Sequence, residues 1–342
     1  MPVILSLLAL VISPSPPMAL GAEPARITLV TGPQEIYRNT INSIETAAKE
    51  KKWSYVVVEL PATPEKRQSE DSAVSDKPSG SSAPASRPAP ENASLQQTRD
   101  RLVESRPAVI VAVGTEATTL ALESVPKASV VFCMVPNTLD AYFLSENSRH
   151  KPRLAGVSTD ISPAEQIAWA VQLNEDVKNI GVLFSSRTRR TVEALRKAGQ
   201  DRGITVTLIE TSKNDFVKAV GLLDTNRCDG VIMVPDADVY NTTTAQRLLL
   251  WGIRARKPVW AFSSKIVKAG AFAGWQADDE TIGRQVADLA DKIATGTQPA
   301  SVGMVYPNKI VYSLNHRSTE MIGISVPDDV LAKITEQFGR ND

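Results

Sequence analysis

The sequence predicts an α/β protein of two Rossmann-like, doubly wound lobes joined by hinge crossovers. Three observations predict it. Short apolar strands alternate with amphipathic helical stretches along the chain. The series occurs twice in the same order. The offset between the copies shrinks, from Ile27/Ile180 to Val113/Val234, by about the length of a Pro/Ser-rich insert in the first copy. Such alternation implies parallel sheets covered on both faces, and two copies imply two sheets. A chain of 342 residues has room for both.

The leading segment 1–22 reads as a secretory signal peptide. Val3 to Ile12 is apolar apart from Ser6, and Ala19-Leu20-Gly21-Ala22 offers a small-residue exit, although no Lys or Arg precedes the run. A strand then runs from Ile27 to Thr31, followed by a helix with Tyr37, Ile41, Ile44 and Ala48 on one face and a strand from Tyr55. Residues 61–94 are rich in Pro, Ser and Ala and predict a disordered insert, since they bury too little apolar surface to offset their ordering entropy. Leu95, Leu102 and Val103 mark the next helix, Ala108 to Val113 a strand, and Ser129 to Met134 another. The second copy repeats this with a strand at Ile180 to Phe184, a helix through Val192, Leu195 and Ala198, and a strand at Thr205 to Ile209. A helix through Phe216, Val220 and Leu223 follows, then strands at Gly230 to Val234 and Pro258 to Phe262.

The remaining elements read as crossovers and caps. Ser162-Pro163-Ala164-Glu165 is a capping box with Pro at the first helical position. Asp278 opens a helix with an Ile282, Val286, Leu289 and Ile293 stripe, and a final helix from Pro327 is expected to bury Val330, Leu331, Ile334 and Phe338. The expected division is an N-terminal lobe of 27–152 plus 270–298 and a C-terminal lobe of 153–269 plus 299–342.

In open parallel sheets ligands bind beyond the carboxyl ends of the strands, so the loops there hold the candidate ligand-binding residues. After the first copy's third strand come Gly114, Thr115 and Glu116 at a helix start, with backbone N–H groups suited to an anion or to simple capping. The equivalent loop of the second copy carries Asp236 and Asp238, which suit a ligand ammonium or a helix cap. Ser185, Ser186 and Arg187 offer hydroxyls and a guanidinium that can fork onto a carboxylate. Asn137, Ser263, Ser264, Trp275 and Asp278 complete the set. Asp236→Ala is expected to weaken binding with little loss of fold.

Several classes of function find no support. Lys+Arg and Asp+Glu both number 38, so no basic excess points to nucleic acid. The two cysteines, Cys133 and Cys228, sit in or beside apolar runs and read as buried, inert thiols. His150 and His316 lie in polar stretches without ligand-spaced neighbours. No nucleophile elbow, zinc motif or dinucleotide fingerprint occurs, so no catalytic residue, metal or cofactor is assigned.

Several segments together carry a family resemblance: Val113-Gly114-Thr115-Glu116-Ala117, Val130-Val131-Phe132, Gly156-Val157-Ser158, Ile180 to Ser186 and Lys257-Pro258-Val259. Gly270 to Gly274, Gly283 to Ala287, Lys292 to Gly296, Asn315 and Gly323 to Pro327 add to them. On these the chain resembles the substrate-binding proteins of ABC transporters, in the group that includes tryptophan- and aromatic-amino-acid-binding lipoproteins, with a type I periplasmic-binding-protein fold. The resemblance implies a non-enzymatic, extracytoplasmic (periplasmic) protein that closes over a small molecule such as an amino acid or related anion. Its implied partners are an ABC permease and its ATPase, and its implied contacts are Thr115, Glu116, Ser185, Ser186 and Asp236. Pro136-Asn137 and the Arg187, Arg189, Arg190 cluster depart from the family pattern, and no anchor cysteine stands near the signal exit. A ligand-sensing module feeding a receptor or kinase is the alternative.

Overall fold

The computed structural model describes residues 26–32, 35–61 and 90–340. The expected signal peptide, and 62–89 of the expected insert, lie outside the described residues. Of the rest of that insert, 90–94 are helical.

The first copy consists of β1 (Ile27–Thr31), α1 (Arg38–Glu50), β2 (Tyr55–Glu59), α2 (Pro90–Glu104), β3 (Val109–Val113), α3 (Thr115–Ser124), β4 (Ser129–Cys133) and β5 (Leu154–Val157). After α4 (Pro163–Leu173), the second copy consists of β6 (Asn179–Phe184), α5 (Arg189–Gln200), β7 (Thr205–Glu210), α6 (Phe216–Thr225), β8 (Gly230–Ile232), α7 (Thr242–Ala255), β9 (Val259–Ala261), α8 (Ser264–Lys268) and β10 (Ala273–Ala277). The tail holds α9 (Asp279–Ala294), α10 (Pro299–Val302), β11 (Met304–Val305), β12 (Ile310–Asn315), α11 (His316–Ile322), α12 (Asp328–Leu331) and β13 (Glu336–Phe338).

Among the described residues the strands form two sheets, ordered β11-β5-β4-β3-β1-β2 and β13-β12-β10-β9-β8-β6-β7. The paired strands run parallel except β10 with β12. Taken by copy, the five strands of each half lie in the same spatial order, second-first-third-fourth-fifth, so the repeat read in the sequence is a repeat in space. The inner strands of the first sheet are buried on both faces, as at β1 and β3, where every residue is buried. That explains their unbroken apolar runs.

The lobe boundaries differ from the expected ones. β5 belongs to the first sheet and β10 to the second, where Ala273 pairs with Trp260 and Leu314. The chain therefore crosses over after β5 rather than before it, and again after β10. α9 returns to the first lobe, packing on α1, β3, β4 and β5, and β11 joins the first sheet beside β5. A third crossover leads to β12. An apolar strand carries no mark of which sheet will receive it; only hydrogen-bonded pairing decides.

Local signals fared unevenly. Ile282, Val286, Leu289 and Ile293 of α9 are all buried, and Asp278 caps the helix by accepting from the Thr281 N–H at 2.8 Å. The α9–α1 seam is close: a Cβ on Gly283 would lie 2.6 Å from the Thr40 carbonyl oxygen, and Ser43 Oγ donates to the Glu280 carbonyl at 2.6 Å. Ser162 caps α4 through the Glu165 N–H at 3.2 Å, but the Glu165 carboxylate accepts from the Tyr312 hydroxyl at 2.8 Å rather than closing the box. The expected final helix is one turn, α12; the chain then leaves it to pair beside β12 as β13. Val330 and Ile334 are buried from either side of that break. Both cysteines are free and buried, and burial pushes both thiols up. Among the described residues no helix is long and apolar enough to cross a membrane.

Candidate functional site

The loops beyond the carboxyl ends of both sheets meet around a cavity of about 670 Å³. The first lobe lines it with Met134 and Pro136 after β4, Thr159, Asp160 and Ile161 after β5, and Asp279 at the start of α9. The second lobe supplies Met233 to Pro235 after β8, Phe262 to Lys265 after β9, Trp275 to Ala277 of β10, and Glu336. This is the strand-end crevice that a doubly wound sheet offers a ligand, here present twice and face to face.

The loop after β4 is tightly shaped. Met134 and Asn137 both have positive φ, 55° and 49°, a conformation that costs a non-glycine residue energy and recurs at functional sites. Asp160 holds this loop, accepting from the backbone N–H groups of Asn137 at 3.1 Å and Thr138 at 2.6 Å. Burial pushes the Asp160 carboxyl up, and these hydrogen bonds offset it only in part. Asn137 Nδ2 then donates to the Pro235 carbonyl of the opposite lobe.

A second contact between the lobes lies alongside. Asp140 of the first lobe accepts from the N–H of Arg190 at 2.8 Å and of Thr191 at 2.9 Å, and from the Thr191 hydroxyl at 2.7 Å. Its carboxylate thus occupies the N-terminus of α5, where free N–H groups and the helix dipole both favour negative charge. Arg190 also donates to the Ala141 carbonyl at 3.2 Å. Thr191 and Pro235 line the cavity themselves, so the contacts that join the lobes are part of its wall.

Three of the sequence-derived candidates, Ser263, Ser264 and Trp275, line the cavity, and Asn137 borders it. The others lie elsewhere. Asp236 is buried and fully occupied, accepting from Ser185 N–H (2.8 Å), Ser185 Oγ (3.1 Å), Thr188 Oγ1 (2.8 Å) and Asp238 N–H (3.0 Å). Burial alone would raise its pKa; the hydrogen bonds outweigh it and hold the carboxyl below its ordinary value. It ties the β6–α5 loop to the β8–α7 loop, so the ligand-ammonium role expected of it has no free lone pair to use. Arg187 pairs with Asp238 at 3.6 Å and Arg189 with Glu210 at 2.6 Å; these forks meet the protein's own carboxylates. Ser186 is exposed at the start of the short turn between β6 and α5. Gly114, at φ 95°, sits beneath Tyr37, with Thr115 and Glu116 exposed behind it. Asp278 faces a neighbouring groove, where it meets Lys309 at 3.1 Å.

Sequence reasoning missed Asp140, Thr159, Asp160, Lys265, Asp279 and Glu336. Reading β5 as a strand would have found Thr159 and Asp160, because they follow its carboxyl end. Among the described residues no group of three or more His, Cys, Asp or Glu side chains is placed to hold a metal. Two residues that line the cavity, Thr159 and Ser264, one from each lobe, carry hydroxyls buried in its wall without a hydrogen-bond partner; Oδ1 of the nearby Asn137 is likewise buried and unpartnered. Native interiors rarely leave such atoms unpaired unless a ligand or water completes them.

The model of one protein family, ABC transporter substrate binding protein, matches residues 85–338. No curated protein matches. Among solved structures, a conserved domain protein from Vibrio cholerae is 18% identical, with a TM-score of 0.59, over 92% of this chain and 100% of its own. An ABC domain in complex with L-Trp, from Streptococcus pneumonia, is 16% identical (TM-score 0.58, 92% and 100% covered). A ligand-free, open substrate-binding protein with adhesive properties from Clostridium difficile is 15% identical (TM-score 0.68, 92% and 100% covered). At these identities the likeness is one of fold.

Proposed function

This chain belongs to the ABC transporter substrate binding protein family, and from that we propose that it is the extracytoplasmic solute-binding component of an ABC importer. The solute occupies the cavity between the lobes, the crossovers flex, and the closed form is presented to a permease that an ATPase drives. The work is binding rather than turnover. The observation that carries this reading is the cavity itself. It is contributed by both lobes, at a volume within the range of small-molecule sites, with unpaired buried hydroxyls on both sides. Its apolar wall of Met134, Phe262 and Trp275 beside convergent polar groups suits a solute with one apolar and one polar end. The relative that holds L-Trp supports an amino-acid-like size.

A melting-temperature screen of amino acids, amines, nucleosides, sugars and organic anions tests it, with small-angle scattering on any hit. A solute at one hundred times its dissociation constant stabilises by about 2.7 kcal/mol and should shrink the radius of gyration. A complete panel that moves neither quantity would reject the reading.

A further inference from the structure

The charged groups around the cavity are unequal in sign. Glu35, Asp160, Asp279 and Glu336 face a single cation, Lys265. The adjoining groove shares Asp279 and Glu336 and adds Asp278 and Glu280 against Arg284. Some of these acids are already satisfied. Glu35 pairs with Arg38 at 2.6 Å, Asp160 is held by backbone N–H groups, and Asp278 meets Lys309 and Thr281. Asp279 and Glu336 are not: among the described residues neither carboxylate has a hydrogen bond or ion pair. Both are partly buried, Asp279 at the head of α9 in the first lobe and Glu336 on β13 in the second. Among the described residues Lys265 has no ion pair either, so it cancels neither of them at short range.

We propose that the cleft selects a solute of net positive charge, an amine with an apolar body, whose ammonium lies between Asp279 and Glu336 and whose body packs against Met134, Phe262 and Trp275. The reading rests on ligand binding in this cleft and narrows its class. Like charges on opposite lobes repel across low-dielectric walls, which opposes closure of the empty cleft. An ammonium between them reverses the sign of that interaction, so binding and closure are linked through the same two side chains. The hydroxyls of Thr159 and Ser264 offer acceptors to further N–H groups. An anionic solute would meet uncompensated carboxylates with one lysine to hold it.

The test measures dissociation constants of the full mature chain by calorimetry for phenethylamine, cadaverine, L-phenylalanine and phenylacetate. The amines should bind most tightly and phenylacetate least. Asp279→Asn and Glu336→Gln should each weaken the amines at least tenfold, while Asp201→Asn, on the exposed end of α5, should not. Circular dichroism of each ligand-free variant establishes that it is folded. Tighter binding of phenylacetate, or amine binding indifferent to both substitutions, would overturn the cationic selection while leaving solute binding in place. Failure of every probe in this series and of the wider screen would overturn both.

Discussion

Asp236 looks in the sequence like a group waiting for a ligand, a carboxylate in a polar loop at the end of a strand. Four donors from its own lobe have already claimed it, two of them backbone N–H groups. Asp236→Ala should therefore cost stability rather than affinity. It strands buried donors, each worth about 1–3 kcal/mol, so a loss of roughly 3 kcal/mol or more is expected in chemical denaturation. The sign of the pH dependence follows from the depressed folded pKa. The contribution is fully present above the unfolded value of about 3.9 and is lost as pH falls through the lower folded value. The acid limb of the stability curve should flatten in the variant; an unchanged acid limb would contradict the assignment. Residue types announced a polar site here, but only the fold reveals that Ser185 and Asp236 answer each other. Asp279 is the reverse case, since beside the capping Asp278 it reads as ordinary helix-start acidity.

At the scale of elements, hydrophobic period and cap chemistry made the strands and the long helices legible. Partner choice was not legible. Nothing in Ala273–Ala277 says which sheet it joins, and nothing in Asp140, the last residue of a short 3-10 turn, says that it will cap a helix of the other lobe. The sequence shows α5 opening with Arg189 and Arg190 and with no acidic residue in its first turn; its carboxylate arrives from across the cleft. Capping of this kind contributes about 1 kcal/mol. Asp140→Ala removes it only from the arrangement in which the lobes touch. The ligand-free variant should show a larger radius of gyration in scattering and weaker affinity for any cleft solute, with the folding of each lobe little changed. A scattering curve identical to that of the parent chain would show that the contact does not govern the spacing of the lobes.

For the molecule as a whole, the tandem repeat was the strongest signal in the sequence, and both sheets follow from it in their shared strand order. Net charge was the most misleading. A formal balance of zero over the chain coexists with a cleft lined by four carboxylates and one ammonium, because folding sorts charges that composition only counts. The three crossovers have an effect on the order of events in folding. The five repeat strands of the first lobe are synthesised before any strand of the second. Yet the helix that covers Val131 and Ala155, and the strand that completes the sheet edge, come after all five repeat strands of the second. A chain ending at Ala277 should accordingly bind a hydrophobic dye that the full chain excludes. On the ribosome, the half that is begun first waits through the synthesis of all five repeat strands of the other before α9 and β11 complete it. β12 and β13 then complete the second, and a nascent chain of this design stays a client for holding chaperones until its final quarter has emerged.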